Sequence, residues 1–338
     1  MNPYSIAVIV PAYNAELFIV EALDSVAAQS RRPEQIIVVD DGSSDRTADC
    51  VRKWEQHYDG ELHVVQQDNR GVSAARNAGI RHAKTDLVAL LDADDLLFPF
   101  HLELLERGFK NNPHILLSFG DALYFDSEHI IKGSVFAGTR IEGVQYEEQT
   151  DGVRLLRGSV YSSLLWGNYI APSASLLLKN AAEKIGLFDE AIRSAEDRDI
   201  FLRLSRIGAF AYYPVVVARK RVHENNATHR RHMSQFNRYQ LMVLQKMIDN
   251  AEELKLSPME EEQTHAALGQ QVWNMLYAES QGGLGPYFDT FMYLVRHRPI
   301  ATVCNPKHFL RAIISHYRTA KKQKPIPGKI LLLLSLVL

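Results

Sequence analysis

The chain has 338 residues, of which 46% are hydrophobic and 23% are charged, an ordinary globular composition that excludes intrinsic disorder. Its two cysteines, Cys50 and Cys304, lie too far apart in sequence for a disulfide framework or a four-ligand zinc site, and a reducing compartment is the default. The formal net charge is −2, and we expect no nucleic-acid partner.

Strands and helices alternate through residues 6–91. Residues Ile6–Val10 form a continuous apolar run, typical of a strand buried on both faces of a parallel sheet, and Pro11 is predicted to end it. The predicted elements that follow are helix 17–27, strand 35–39, helix 46–58, strand 62–66, helix 72–83 and strand 87–91. This alternation predicts a parallel α/β sheet with right-handed crossovers, and such sheets bind ligands at the carboxyl ends of their strands.

The second half of the chain is less regular. Its predicted elements are strands 114–119 and 123–125, a polar loop region 133–158, strand 173–178, helix 196–207 and strand 210–217, with only helical patterns beyond residue 231. We place the domain boundary near residue 225, which gives an α/β domain over residues 1–225 and a helical extension over residues 226–338.

The end of the chain is basic and then apolar. No Asp or Glu follows Asp289, whereas nine Lys or Arg residues do, and Ile330–Leu338 has about half of the length that spans a bilayer. Basic side chains attract anionic lipid and leucines offer apolar area, so we expect peripheral attachment to the inner face of a membrane. The alternative is that Ile330–Leu338 folds back or packs in a dimer, and the oligomeric state is left open. No basic segment precedes the first apolar run, so we expect a cytoplasmic protein without a signal peptide.

Acidic residues cluster at three places where this topology puts ligand contacts. The clusters are Asp40-Asp41 after the second strand, Asp92, Asp94 and Asp95 after the fourth, and Glu196-Asp197 at the start of a helix. Adjacent carboxylates repel one another, so a fold tolerates them more readily where a cation or a donor-rich ligand binds, and hard oxygen ligands on one loop suit Mg²⁺ or Mn²⁺. The alternative is helix capping, which is as good an explanation for Asp40-Asp41 and a weaker one for the Asp92 cluster, because one cap needs one carboxylate.

Five short motifs occur in register over residues 8–197: Val8–Asn14, Val38–Thr47, Asn69–Gly79, Leu91–Asp95 and Glu196-Asp197. In order and spacing they resemble the family 2 glycosyltransferases with the GT-A fold. The resemblance implies a Rossmann-like α/β/α sandwich and an inverting, Mn²⁺- or Mg²⁺-dependent transfer of a sugar from a nucleoside diphosphate sugar, most readily a UDP-sugar, to an acceptor hydroxyl. It also suggests a glycan or lipid-linked acceptor in surface-polysaccharide assembly.

The resemblance assigns roles to single residues. Those of the nucleotide side are Pro11, Ala12, Tyr13 and Asn14 in the pocket, Asp40 or Asp41 on the base, an acidic residue of the Asp92 cluster (Asp92 or Asp94) on the ribose, and Arg76 near the diphosphate. For the metal, the resemblance implies Asp95 as a ligand with Asp94 beside it. For catalysis, it implies Asp197 as the base and Glu196 as a residue that orients the acceptor or caps its helix. The alternative for Arg76 is an exposed helix arginine.

Weaker signals leave alternatives open. His223 stands where similar enzymes often place a histidine near the diphosphate or metal, and it is equally an ordinary loop residue. The segments Trp166–Asn168 and Ala171–Ser173 either contact the acceptor or pack in the core. A nucleotide-sugar-binding protein without turnover and a nucleotidyltransferase of related topology are the rival functions, although Pro11–Glu16 lacks the Gly-rich loop that the latter requires.

Overall fold

The computed structural model describes residues 4–110, 112–126, 129–149, 151–224, 226 and 233–280. The strands are β1 (Ile6–Ala12), β2 (Gln35–Asp40), β3 (Leu62–Gln66), β4 (Leu87–Leu90), β5 (Leu96–Leu97), β6 (Ile115–Phe125), β7 (Ile130–Lys132), β8 (Tyr146–Glu148), β9 (Arg154–Leu156), β10 (Ser175–Leu178) and β11 (Ala209–Arg221). The helices are α1 (Ile19–Ala27), α2 (Thr47–Glu55), α3 (Val72–His82), α4 (His101–Arg107), α5 (Val160–Leu164), α6 (Lys179–Lys184), α7 (Glu196–Leu204), α8 (Met233–Asp249) and α9 (Pro258–Ser280).

The amino-terminal half of the sheet is parallel, as the alternating pattern predicts. Its strands run in the order β3, β2, β1, β4, and every pairing among them is parallel. Strand β1 is fully buried from Ile6 to Val10 because it lies between two neighbours and has helices on both sides. The carboxyl ends of β2, β1 and β4 therefore meet at one edge, which carries two of the three acidic clusters.

Pro11 does not end the first strand, contrary to the prediction. Strand β1 continues to Ala12, and Pro11 stands in register with Val39 of β2. The Ile9 carbonyl accepts a hydrogen bond from the Leu91 N–H, so Ile9 and Pro11 both direct their backbone groups towards β4. Proline has no N–H to donate to a neighbouring strand. Because β4 ends at Leu90, no strand hydrogen bond is lost at Pro11.

Helices cover both faces of this parallel half. Ile6, Val8 and Val10 pack in one core cluster with residues of α1 and α4. The alternate residue Ile9 faces α3, where a Cβ added at Gly79 would lie 2.4 Å from the Ile9 Cγ2 atom. Glycine at this position lets the helix lie directly on the strand, and α3 carries Arg76 one turn earlier.

The second half of the sheet is mixed. Strand β10 is antiparallel to both β4 and β6, whereas β6 and β11 are parallel to each other. The two predicted strands 114–119 and 123–125 are one strand, β6, which runs through Asp121. The Asp121 carboxylate accepts hydrogen bonds from the N–H groups of Val135 and Phe136, and these contacts allow an acidic residue inside a buried strand. The predicted loop region 133–158 also contains β8 and β9.

The compact unit that contains the sheet covers residues 1–267 and so includes α8. Lys246 of α8 binds Asp189 at 2.7 Å and Asp199 of α7 at 3.0 Å, so this helix packs against the one that opens with Glu196. The domain boundary near residue 225 stays a prediction. No helix in the described part of the chain has the length and apolar character needed to cross a membrane. The basic, apolar tail lies outside the described residues.

Candidate functional site

Arg76 joins two of the three acidic clusters. One guanidinium nitrogen lies 2.6 Å from Asp92 Oδ1 on the loop after β4, and the other lies 2.5 Å from Glu196 Oε1 in the first turn of α7. The side chain is only 2% exposed, so the alternative of an exposed helix arginine is wrong. Through this one residue the fold brings the loop after β4 and the start of α7 together at one site.

The charges at this junction support one another. Burial alone would lower the pKa of Arg76, but the carboxylates of Asp92 and Glu196 raise it above its usual value. Burial would likewise raise the pKa of Asp92, and the cations of Arg76 and Lys220 lower it instead. The ion pairs therefore favour the ionised forms of both Asp92 and Arg76.

Asp95 is enclosed by donors of the chain itself. It is 2% exposed, and its Oδ2 accepts hydrogen bonds from the Ser173 hydroxyl at 2.6 Å and the Lys220 ammonium at 3.1 Å. Its Oδ1 accepts from the Arg221 N–H at 2.9 Å. Burial raises the pKa of Asp95 to about 6, against the opposing effect of Lys220.

Asp94 and His223 form a second, more open pair. The imidazole Nε2 lies 2.9 Å from Asp94 Oδ2, and the side-chain amide of Asn226 donates to the same oxygen at 3.2 Å. The His223 ring stacks on Phe18 with centroids 4.9 Å apart. His223 thus contacts the acidic loop, its predicted place near the diphosphate or metal stays a prediction, and both members of the pair are partly exposed.

The donor set of this pair fits a divalent cation in part. Carboxylate oxygen and imidazole nitrogen are ligands that Mn²⁺ accepts, and Mg²⁺ usually takes one or two carboxylates together with water and phosphate oxygens. Within the described ranges, no three His, Cys, Asp or Glu side chains are arranged to hold a metal by themselves. The chain would therefore supply Asp94 and His223, and a bound diphosphate and water would complete the ligand set.

Asp197 is held in the first turn of α7 by the Asn168 side chain and by the Arg198 N–H, which donates to Asp197 Oδ1 at 2.7 Å. The Asn168 side-chain amide donates to Asp197 Oδ2 at 2.8 Å, and Asn168 is itself fixed by hydrogen bonds to the backbone of Ile170. Burial and the nearby Glu196 carboxylate together raise the pKa of Asp197 to about 6, against the opposing charge of Arg76. A carboxylate with this pKa is ionised at neutral pH and accepts a proton more readily than an ordinary aspartate.

The backbone before Asp197 is strained. Ala195 has a φ of 65°, in the left-handed region that an L-residue with a Cβ rarely adopts. The helix therefore begins abruptly at Glu196, whose side chain binds Arg76 and does not cap the helix. A strained backbone of this kind persists where neighbouring contacts hold it in place, and here the ion pair of Glu196 with Arg76 holds the residue that follows Ala195.

The nucleotide side of the site lies at the ends of β1 and β2. Asn14, with a φ of 49°, accepts a hydrogen bond from the Ser44 N–H at 2.8 Å, which ties the loop after β1 to the loop after β2. Pro11 and Ala12 are buried beneath this loop, whereas the Tyr13 side chain is 52% exposed.

The two aspartates of the first cluster organise loops and do not cap α2. Asp40 Oδ1 accepts from the Ser43 N–H at 3.0 Å, and Asp41 accepts from the N–H groups of Arg70 and Gly71 at 2.9 and 2.7 Å. The N–H of Thr47, the first residue of α2, instead donates to Asp45. Asp41 therefore fixes the loop that leads into α3 and Arg76.

Sequence reasoning missed Lys220. It lies within a run of three basic residues at the end of β11, which looks like a solvated strand end. The alternation of side chains along a strand is a signal that could have identified it. In a run of three basic residues, the middle side chain points to the opposite face of the sheet from its two neighbours.

The comparisons with known proteins agree with the motifs. Residues 7–152 match the protein family described as Glycosyl transferase family 2. An uncharacterized glycosyltransferase of Rickettsia typhi is 28% identical over 234 residues, 67% of each chain. A minor teichoic acid biosynthesis protein of Bacillus subtilis, GgaB, is 31% identical over 150 residues, which are 43% of this chain and 17% of that protein.

Two solved structures share the fold. S. aureus TarS in complex with UDP-GlcNAc superposes with a TM-score of 0.60 at 18% identity, over 88% of this chain and 82% of that one. The mannosyltransferase PcManGT of Pyrobaculum calidifontis, in complex with GDP-Man and Mn²⁺, gives 0.57 at 19% identity, over 93% and 87%. The predicted GT-A fold is thus confirmed, and the chain is a glycosyltransferase whose residues 7–152 match family 2.

Proposed function

We propose that the chain transfers a sugar, with inversion, from a nucleoside diphosphate sugar to an acceptor hydroxyl, with a divalent metal and Asp197 as the general base. The observation that carries the proposal is the Arg76 junction, because it unites the acidic loop after β4 with the first turn of α7. Sugar transfer needs groups that bind the donor and a group that removes the proton, and these must lie at one site. Salt bridges with a purely structural role would not need to bring the loop after β4 and the first turn of α7 together.

The chemistry at Asp197 follows from its surroundings. A sugar hydroxyl is a poor nucleophile until a carboxylate takes its proton during attack, and a positioned base contributes typically ~10²–10⁴ in rate. The Asn168 amide holds Asp197 Oδ2, and the Arg198 N–H at the start of α7 holds Asp197 Oδ1. Both carboxylate oxygens are therefore fixed in orientation. In this proposal the acceptor attacks the anomeric carbon directly, no protein nucleophile forms a bond to the sugar, and the configuration inverts.

The leaving group requires positive charge. A departing nucleoside diphosphate carries about two negative charges, and cations placed in advance stabilise them. A metal held by Asp94 and His223 would supply Lewis acidity there. The chain contributes Arg76, buried behind Asp92, and we assign the ribose contact to Asp92 at the start of the same loop.

The nucleotide would occupy the edge formed by β1 and β2. The exposed ring of Tyr13 offers a surface on which a base stacks, and Asn14 with Asp40 and Asp41 fixes the surrounding loops. TarS was solved with UDP-GlcNAc and PcManGT with GDP-Man and Mn²⁺, which supports a nucleoside diphosphate sugar and a metal without selecting the base. We place a UDP-sugar first.

A thermal-shift panel of UDP, GDP, dTDP and CMP, each with Mn²⁺ and with EDTA, tests the proposal. We expect one diphosphate to stabilise the protein strongly in Mn²⁺, because a ligand at 100 times its dissociation constant adds ~2.7 kcal/mol. The matching nucleotide sugar should then be consumed with release of the diphosphate. If no nucleotide raises the melting temperature under either condition, the donor site is wrong.

For the acceptor we propose a glycan or lipid-linked saccharide in surface-polysaccharide assembly. The similarity to a teichoic acid biosynthesis protein supports this class of acceptor. The basic, apolar tail from Arg296 to Leu338 is consistent with it, because a lipid-linked acceptor is presented at a membrane surface.

Flotation with liposomes checks the membrane part. We expect the full chain to float with anionic vesicles and less with neutral ones, and we expect salt to weaken the association. A version that stops at Lys324, which lacks Ile330–Leu338, should remain in the dense fraction. Equal behaviour of the two proteins with every vesicle would show that the tail packs internally.

A further inference from the structure

Lys220 is the basic residue of β11 that faces the acidic loop. Its Nζ lies 3.1 Å from Asp95 Oδ2 and 3.7 Å from Asp92 Oδ2. The guanidinium groups of its strand neighbours, Arg219 and Arg221, each lie 4.6 Å from the centroid of the Phe125 ring. That of Arg221 also donates to the Asp94 backbone carbonyl at 3.0 Å, but its carboxylate partner is Glu21, outside the loop. The alternation of the strand therefore directs a single ammonium between two carboxylates of the predicted metal loop.

The three carboxylates of this loop have different partners. Both oxygens of Asp95 already accept hydrogen bonds, and Asp92 lies between the cations of Arg76 and Lys220. Asp94 contacts an imidazole and an amide in place of an ammonium or guanidinium. Asp94 is thus the carboxylate of the loop that a metal can reach without displacing a cation of the chain.

A lysine ammonium and a divalent cation compete for the same carboxylate oxygens. A metal bound to Asp95 would have to lie within a few ångströms of Nζ, where like charges repel strongly because little water separates them. The affinity of a site for a cation also rises with the number of its charged ligands. A lysine that occupies one of the carboxylates therefore lowers the affinity of the site for the metal.

We propose that Lys220 is a positioning residue that holds Asp95 and Asp92 out of the metal's ligand set, so that the metal is held through Asp94 and His223 alone and binds weakly until the diphosphate adds its oxygens. The inference rests on the metal dependence of the proposed function. It changes the predicted role of Asp95 from ligand to partner of Lys220, and it makes metal binding depend on the donor.

Titration of the full chain with Mn²⁺ alone, followed by electron paramagnetic resonance of the free ion, tests this without any measurement of activity. In Lys220→Met we expect Mn²⁺ to bind about tenfold or more tightly than in the unaltered protein, because Asp95 becomes free to ligate. Asp95→Asn by itself should leave the affinity within about twofold. The double variant Lys220→Met, Asp95→Asn should lose the gain, and Asp94→Asn should weaken binding in every background.

Two further variants control for folding and for charge. Lys220→Gln keeps a hydrogen-bond donor and should also tighten Mn²⁺ binding if Lys220→Met does not fold. Arg219→Gln removes a neighbouring positive charge on the opposite face of β11 and should leave Mn²⁺ affinity unchanged. Damage to the fold would weaken binding, so a gain in affinity cannot come from it.

The inference is overturned if the Lys220 variants bind Mn²⁺ no more tightly than the unaltered protein, or if Asp95→Asn weakens binding as much as Asp94→Asn. In either case the proposed function stands as long as the unaltered protein binds Mn²⁺ together with the diphosphate. If no protein binds Mn²⁺ even with the diphosphate present, the metal dependence in the proposed function fails along with the inference.

Discussion

Replacing Asp197 by Asn is expected to lower turnover by at least ~10², while the affinity for the nucleoside diphosphate stays near that of the unaltered protein. The amide keeps the size and the contact with Asn168 but accepts no proton. The measurement is release of the diphosphate from the donor that the nucleotide panel selects, beside a binding titration. Asp49→Asn is the matched control, because it also removes a carboxylate from the first turn of a helix, on the exposed face of α2.

The pH dependence gives the same prediction a second readout. Asp197 must be ionised to act as a base, and its pKa is raised to about 6, so activity should rise as the pH increases through 6 and then level off. The residual activity of Asp197→Asn should lack this limb. Full activity in the Asn variant, or an unchanged limb, would mean that another group takes the proton.

Replacing Arg76 by Met is expected to destabilise the protein by about 3–5 kcal/mol, because the largely buried Glu196 would lose its cation and Asp92 would keep only the more distant Lys220, at 3.7 Å. Urea unfolding followed by circular dichroism measures the loss. Arg76 lowers the pKa of Asp92 in the unaltered protein, so its contribution to stability is lost as the pH falls, and the deficit of the variant should shrink at acidic pH.

Arg70→Met provides the comparison. Arg70 precedes the same helix and pairs with Glu190 at 2.6 Å, but its side chain is 60% exposed. An exposed pair contributes only ~0–1 kcal/mol, so this variant should unfold almost as the unaltered protein does. Equal effects of the two substitutions would contradict the central place given to Arg76.

The parallel half of the fold could be predicted because its signals are local. Apolar runs such as Ile6–Val10 and the helical spacing between them determine strands and crossovers without reference to the rest of the chain. The second half could not be predicted as well, since its strands depend on distant partners. Asp121 reads as a strand breaker until the N–H groups of Val135 and Phe136 are known to meet its carboxylate.

The same distinction holds for the site. The acidic clusters and Asp197 stand out in the sequence because several carboxylates in one short segment are unusual. What each carboxylate touches was not predictable, because Lys220 follows Asp95 by 125 residues and reaches it only through the pairing of β11 with β5 and β6. Asn168, which holds Asp197, likewise belongs to a segment that the sequence left open between acceptor contact and core packing.

The packing of α8 against α7 bears on how the polypeptide could be shortened or recombined. A fragment ending near residue 225 would keep every predicted catalytic and nucleotide-binding residue, yet it would lack Gln240 and Lys246. Arg198, adjacent to Asp197, would then lose its side-chain partner Gln240, and Asp199 would lose Lys246. The smallest portable unit of this glycosyltransferase therefore includes those two α8 side chains and also Glu260 of α9, which binds Arg206 at 2.7 Å. Exchanges of the helical extension with a relative should be joined no earlier than residue 267, where the compact unit ends.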